Sequence, residues 1–226
     1  MDLQTEIIFP IKFYLTLVPE LSCKKMTLKS TLLSSFFILL SFTVSAQTLK
    51  ESIARDFKRL AELTQKGEYA KLVDMLPEKM FEVVPKESLI EALRVGLSNE
   101  QVKVAILDME LLNISTPEMI DSCYYSELRY TTNMSMVFIP QETETKEQKE
   151  TRSTRTVAAL ANTFGSNNVQ YNADKDQFSV IARKKSIAIS SNKGRDWKFI
   201  NIDGAQRLIL EKVLPKEIVE RELDYN

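Results

Sequence analysis

The chain has 226 residues, and 30 Lys and Arg against 31 Asp and Glu leave a net charge of −1. A near-neutral chain lacks the basic excess of a nucleic-acid binder, so no nucleic-acid partner is expected. With no His and only two cysteines, Cys23 and Cys123, the commonest general base, a disulfide framework and a His/Cys metal site are excluded, and neither metal nor cofactor is expected.

Residues 24–47, "KKMTLKSTLLSSFFILLSFTVSAQ", read as a secretory signal. Lys24, Lys25 and Lys29 supply positive charge ahead of the apolar run from Leu32 to Thr43. Val44-Ser45-Ala46 is a small-residue cleavage site that leaves Gln47 as the new terminus. The run is short of the roughly 20 apolar residues a bilayer span needs, so no membrane span is expected in the mature chain, a retained anchor being the alternative. The expected organisation is an upstream extension over 1–25 with Met26 a candidate start, a signal peptide over 26–46, and one domain over 47–226. The mature chain is then exported, to the periplasm or beyond the cell. Cys23 follows Glu20-Leu21-Ser22, which does not suit a lipidated cysteine.

Ile53, Phe57, Leu60 and Leu63 form one apolar stripe, predicting a helix over 49–66 that Gly67 ends. Tyr69, Leu72, Val73 and Leu76 repeat the pattern over 68–76 until Pro77. A third helix runs from Pro85 to about Leu97, with Leu89, Ile90, Leu93 and Leu97 on one face. The period then changes to two. A strand is predicted over 101–115, where Val102, Val104 and Ile106 alternate with Lys103, Ala105 and Leu107. A longer, bent strand is predicted over 123–139, where Leu128, Tyr130, Met134, Met136 and Phe138 share parity. The charged connector 141–155 enters a helix near Ser153, with Val157, Leu160, Ala161 and Phe164 on one face and Gly165 at its end. Three strands follow, over 168–172, 177–183 and 185–191, and a hairpin through Asn192-Lys193-Gly194 returns with Trp197 and Phe199 on one face. A short helix stopped by Pro215 closes the pattern.

Helices followed by a long antiparallel sheet define the α+β class. On residues 67–97, 164–190 and 194–203 the chain resembles the nuclear transport factor 2-like superfamily, a cystatin-like α+β cone, and in particular its small secreted bacterial members of unknown function. The resemblance implies N-terminal helices packed in the concave face of a curved antiparallel sheet. It also implies that relatives keep a pocket there, and that some are isomerases or dehydratases. Fold alone confers no activity.

Relatives similar to ketosteroid isomerase use a carboxylate base with a tyrosine or second acid as oxyanion donor. Asp108, Asp121 and Glu127, near Tyr124, Tyr125 and Tyr130, are the residues available for that role, and acids facing water on alternate strand positions are the simpler reading. No position matches a catalytic motif, so no catalytic residue is assigned. Tyr125, Tyr130, Met134, Met136, Trp197 and Phe199 are candidates for lining an apolar pocket or for filling a core. Arg183-Lys184-Lys185, with Lys193 and Arg195, offers an anion site or a solvated turn. The sequence therefore supports a secreted, non-enzymatic domain that binds a small apolar ligand or a partner protein. A metal-independent isomerase or hydratase using a carboxylate base, and a structural envelope component, are the alternatives. A homodimer stays open.

Overall fold

A computed structural model describes residues 28–98, 101–139 and 144–223, with only the backbone described for 28–45. The proposed extension over 1–25 and the candidate start Met26 lie outside the described residues. The chain divides into two units, Met1–Ser41 and Phe42–Asn226. The described backbone of the first is helical, and the packing described below is that of the second.

Helix α1 (Leu28–Lys66) includes the expected cleavage site at Ala46-Gln47, so the helix predicted from residue 49 starts earlier than expected. It ends as the sequence predicts. Gly67 takes φ +67°, its N–H bonds the Thr64 carbonyl at 3.2 Å, and the Glu68 N–H bonds that of Leu63 at 3.0 Å. That pair of bonds is the Schellman closure, which needs a left-handed residue. Helix α2 (Tyr69–Val73) is one short turn, Pro77 stops it, and residues Glu78–Glu82 form a 3-10 turn. Helix α3 (Lys86–Leu97) half-buries the predicted face.

The sheet is curved, antiparallel and unclosed, with six strands: β1 (Val102–Ile114), β2 (Glu118–Ile120), β3 (Cys123–Phe138), β4 (Val169–Asn172), β5 (Gln177–Ser190) and β6 (Lys198–Asn201). The order is β1-β3-β5-β4, with β2 also on β3 and β6 also on β5. The register of β1 against β3 slips between Ile106 and Asp108 and again between Leu111 and Asn113. The bulged residues Leu107 and Leu112 are each 53% exposed, because a bulge takes its residue out of the alternation.

Several elements differ from expectation for local reasons. Strand β2 is too short to show periodicity, and Asp121 (φ +47°) and Ser122 (φ +68°) turn it into β3, the two-residue geometry of a tight hairpin. The stretches 177–183 and 185–191 are one strand, β5. Helix α4 (Lys146–Phe164) starts well before Ser153, since Thr145 and Gln148 form a reciprocal capping box inside the charged connector. Beyond α5 (Arg207–Val213), Pro215 does not end the helical region but separates it from α6 (Lys216–Leu223).

Both faces of the sheet are covered at its β6 end. On one face Leu128, Tyr130, Ala188, Trp197 and Phe199 pack against Ile53, Phe57, Leu60 and Leu63 of α1. On the other, Tyr125, Ile187 and Ile200 pack against Leu210 and Val213 of α5 and Ile218 and Val219 of α6. Helix α4 packs over β4 and β5. There Arg152 donates to Glu144 at 2.7 Å and to Asp176 at 2.6 Å, and Tyr171 Oη donates to Asp176 at 2.9 Å.

Trp197 is 1% exposed. Its indole N–H donates to Ser52 Oγ at 2.8 Å and its backbone N–H to Asp56 Oδ2 at 3.0 Å. Burying the ring removes about 150–250 Å² from water, worth about 4–6 kcal/mol. Trp197→Ala is therefore expected to cost about 3–5 kcal/mol, and Trp197→Phe less. Denaturant titration measures both. As the only tryptophan, it should emit blue-shifted light that moves red on unfolding. Red emission from the folded protein together with an unchanged melting temperature for Trp197→Ala contradicts this packing.

The Asp176 cluster sets an acid limit. Burial pushes the Asp176 carboxyl up, but hydrogen bonds from Arg152 and Tyr171 outweigh it and hold the group below its ordinary range. A carboxyl lowered on folding stabilises the protein above its unfolded pKa, about 3.9, and that contribution is lost as pH falls through the folded value. Hydrogen exchange should show α4 losing protection below about pH 4, before the α1-side core does. Asp176→Asn should lower stability at pH 7 by about 1.5–3 kcal/mol and flatten this acid dependence. Protection of α4 that persists to pH 2 in step with the core argues against the cluster as its anchor.

Candidate functional site

A cleft of about 540 Å³ opens around the free end of the β5–β6 hairpin. Its walls come from both helical layers. Asp56 and Arg59 project from α1, Met75 and Pro77 follow α2, Glu78 and Lys79 open the 3-10 turn, and Val213 belongs to α5. Cys123 and Tyr125 from the start of β3, and Ile189 from the end of β5, complete the sheet side. The hairpin loop closes the remainder with Ser191, Asn192, Asp196 and Trp197, and Lys198 opens β6 beside them.

The loop is rigidly tied. Ser190 Oγ bonds Asn192 Oδ1 at 2.9 Å and accepts from the Gly194 N–H at 2.9 Å, while Asn192 Oδ1 accepts from the Asp196 N–H at 3.0 Å. Gly194 takes φ +80°, and a Cβ there would lie 2.1 Å from Leu49 Cδ2. The backbone angle favours glycine, and a side chain there would also have to displace the Leu49 methyl group. From α1, Arg55 donates to the Arg195 carbonyl at 2.8 Å and to Asp56 at 2.8 Å. Asp56 also accepts the Trp197 N–H. The Phe199 N–H donates to the Met75 carbonyl at 2.9 Å, so the outer edge of β6 is partly occupied by the chain after α2.

The six residues proposed to line a pocket are not brought together. Tyr125 and Trp197 line this cleft. Tyr130 and Phe199 belong to the α1-side core, at 4% and 2% exposure, with the Tyr130 hydroxyl donating to Asn201 Oδ1 at 2.8 Å and its ring edge-on to Phe57 at 5.0 Å. Met134 and Met136 share the Tyr130 face but sit farther along β3, opposite Val180 and Phe178, and are half-buried. The reason is parity. Tyr125 is an odd residue and Tyr130 an even one on an unbroken strand, so they point to opposite faces.

The three acids considered for base chemistry do not reach the cleft. Asp108 is exposed just past the first bulge of β1, and Asp121 is exposed in the β2–β3 turn. Glu127 pairs with Arg129 at 2.6 Å. Tyr124 packs at the margin of the α1-side core. Burial and then the neighbouring Cys123 push the Tyr125 phenol up to about 12. Burial likewise raises Tyr130 to about 12, against the opposing bond to Asn201. At neutral pH both are hydrogen-bond donors rather than bases. Arg183, Lys184 and Lys185 lie mid-strand in β5 and not in a turn. Arg183 and Lys185 alternate with Lys184, and Lys185 pairs with Glu222 at 3.0 Å, so the three do not form one anion site.

Sequence reasoning missed polar members of the cleft, among them Asp56, Arg59, Lys79 and Lys198. Their signal is weak because each is a charged residue adjoining an apolar stripe, the ordinary pattern of a solvated helix or strand face. Among the described residues, no group of three or more His, Cys, Asp or Glu is placed to hold a metal ion, and no helix is long and apolar enough to cross a membrane.

No protein-family model matches the chain, and no curated protein sequence matches it.

Proposed function

We propose that this chain is an exported, non-enzymatic α+β domain of the nuclear transport factor 2-like kind, and that it holds a small, largely apolar ligand in the cleft at the β5–β6 hairpin. The observation that carries this reading is the make-up of the cleft. Its lining combines Met75, Pro77, Tyr125, Ile189, Trp197 and Val213 with the charged residues Asp56, Arg59, Glu78, Lys79, Asp196 and Lys198. A concave site that sets apolar side chains beside polar ones can hold a small molecule, and the volume is within the range that takes a drug-sized ligand. The chemistry of the lining favours binding over turnover. Of the three cleft carboxylates, Asp56 is tied to Arg55 and to the Trp197 N–H, Asp196 accepts from Asn192 at 2.8 Å, and Glu78 is exposed rather than held in a buried site. The expected signal peptide over 26–46 supports export, and the order of helices before sheet supports the fold family.

Native mass spectrometry of the purified protein tests this reading. The expected result is a small-molecule adduct that survives gentle ionisation and is absent from the denatured spectrum. The same spectrum reports whether the protein is a monomer or a homodimer. A bare polypeptide mass, with no adduct formed on adding hydrophobic small molecules, overturns the binding proposal.

A further inference from the structure

We propose that the ligand of this cleft is an amphipathic anion, whose carboxylate or sulfonate is held by Arg59 and Lys79 while its apolar body lies against Ile189 and Val213. This inference rests on the cleft being a binding site and names the chemistry it selects. Three cations and three acids line the cleft, so net charge does not decide the matter. What decides it is which groups are already used. Asp56 and Asp196 face the Arg55 guanidinium, which both stabilise, and each accepts a hydrogen bond within the protein. Lys198 donates to the Asp74 carbonyl. Arg59 and Lys79 have no hydrogen-bond or ion-pair partner among the described residues, and both side chains are exposed at the cleft. Glu78 is the one lining acid in the same condition. The unspent capacity is therefore two cationic donors against one acid.

A planar or tetrahedral anion suits this set. The Arg59 fork matches a carboxylate or sulfonate in two-point contact, and Lys79 adds a compact point charge. A neutral apolar ligand would leave both cations without a counter-charge. A cationic ligand would meet two like charges. An acid with a hydrocarbon or aromatic body satisfies donors and wall together.

Two fluorescent probes of similar aromatic body separate this inference from the reading beneath it. 8-Anilinonaphthalene-1-sulfonate carries an anionic head, and N-phenyl-1-naphthylamine carries none. Each is titrated into the purified protein and into the Arg59→Gln/Lys79→Gln variant. The exposed positions of both residues predict that this variant folds, which its melting temperature checks. The expected result is saturable binding of the sulfonate probe that weakens by about tenfold or more in the variant, while the neutral probe binds both proteins alike. Decanoate or 2-naphthoate should displace the sulfonate probe, and whichever does so distinguishes an acyl from an aromatic body. Equal sulfonate affinity in protein and variant, or displacement by neither acid, overturns the anionic head while leaving an apolar cleft. Failure of both probes to saturate removes the binding site itself, and this inference with it.

Discussion

The structure depends on the pairing of β3 with β5. Their antiparallel register runs without a slip from Tyr124 opposite Ser190 to Val137 opposite Gln177. An unbroken register fixes the direction of every side chain on both strands, since displacing it by one residue would exchange the two faces. Here such an exchange would carry Leu128 and Ala188 away from α1, and Tyr125 and Ile187 away from α5 and α6. Both faces are apolar at this end, and both partners are specific. The register is thus held by two cores at once. Strand β1 is held by one, and it is the strand that tolerates two bulges.

Elements with a strong period or a strong stop were legible in the sequence. The α1 stripe, the Gly67 closure, the alternation of β1 and the single face shared by Trp197 and Phe199 follow from spacing, and the structure has each of them. Elements defined by hydrogen bonds between side chain and backbone were harder to see. The start of α4 depends on Thr145 and Gln148 within a charged run that reads as a connector. The division of β5 into two strands came from its basic centre, Arg183-Lys184-Lys185. A central strand accommodates these residues because Lys185 reaches Glu222 of α6 while Arg183 and Lys184 are exposed. The separation of Tyr125 from Tyr130 was available from parity. It was obscured because a sheet covered on one face was assumed, and under that assumption every large aromatic is assigned to the same side.

The cleft was the least legible feature, for a physical reason. No single element contains it. Its lining draws on α1, the segment after α2, β3, β5, the hairpin loop and α5, and their meeting is a product of topology. Periodicity reports which face of an element is buried. It does not report where two buried faces part.

They part at the hairpin because β6 is short. Strands β3 and β5 continue to Tyr124 and Ser190, whereas β6 pairs only from Ser186 opposite Asn201 to Ile189 opposite Lys198. Past Lys198 the edge of β5 has no partner strand, and the loop through Gly194 folds instead toward α1, where Ser52, Arg55 and Asp56 hold it. The segment after α2 crosses the same edge, with the Met75 carbonyl bonding the Phe199 N–H and the 3-10 turn reaching α5. The two helical layers are therefore joined across the sheet edge by one strip of chain. The space between that strip, the tied loop and the last residues of β5 is what remains open. Each boundary is anchored by backbone hydrogen bonds or by a buried residue, so the opening belongs to the folded state. Its position, at the junction of two separately packed cores, lets polar groups from one layer stand beside apolar groups from the other.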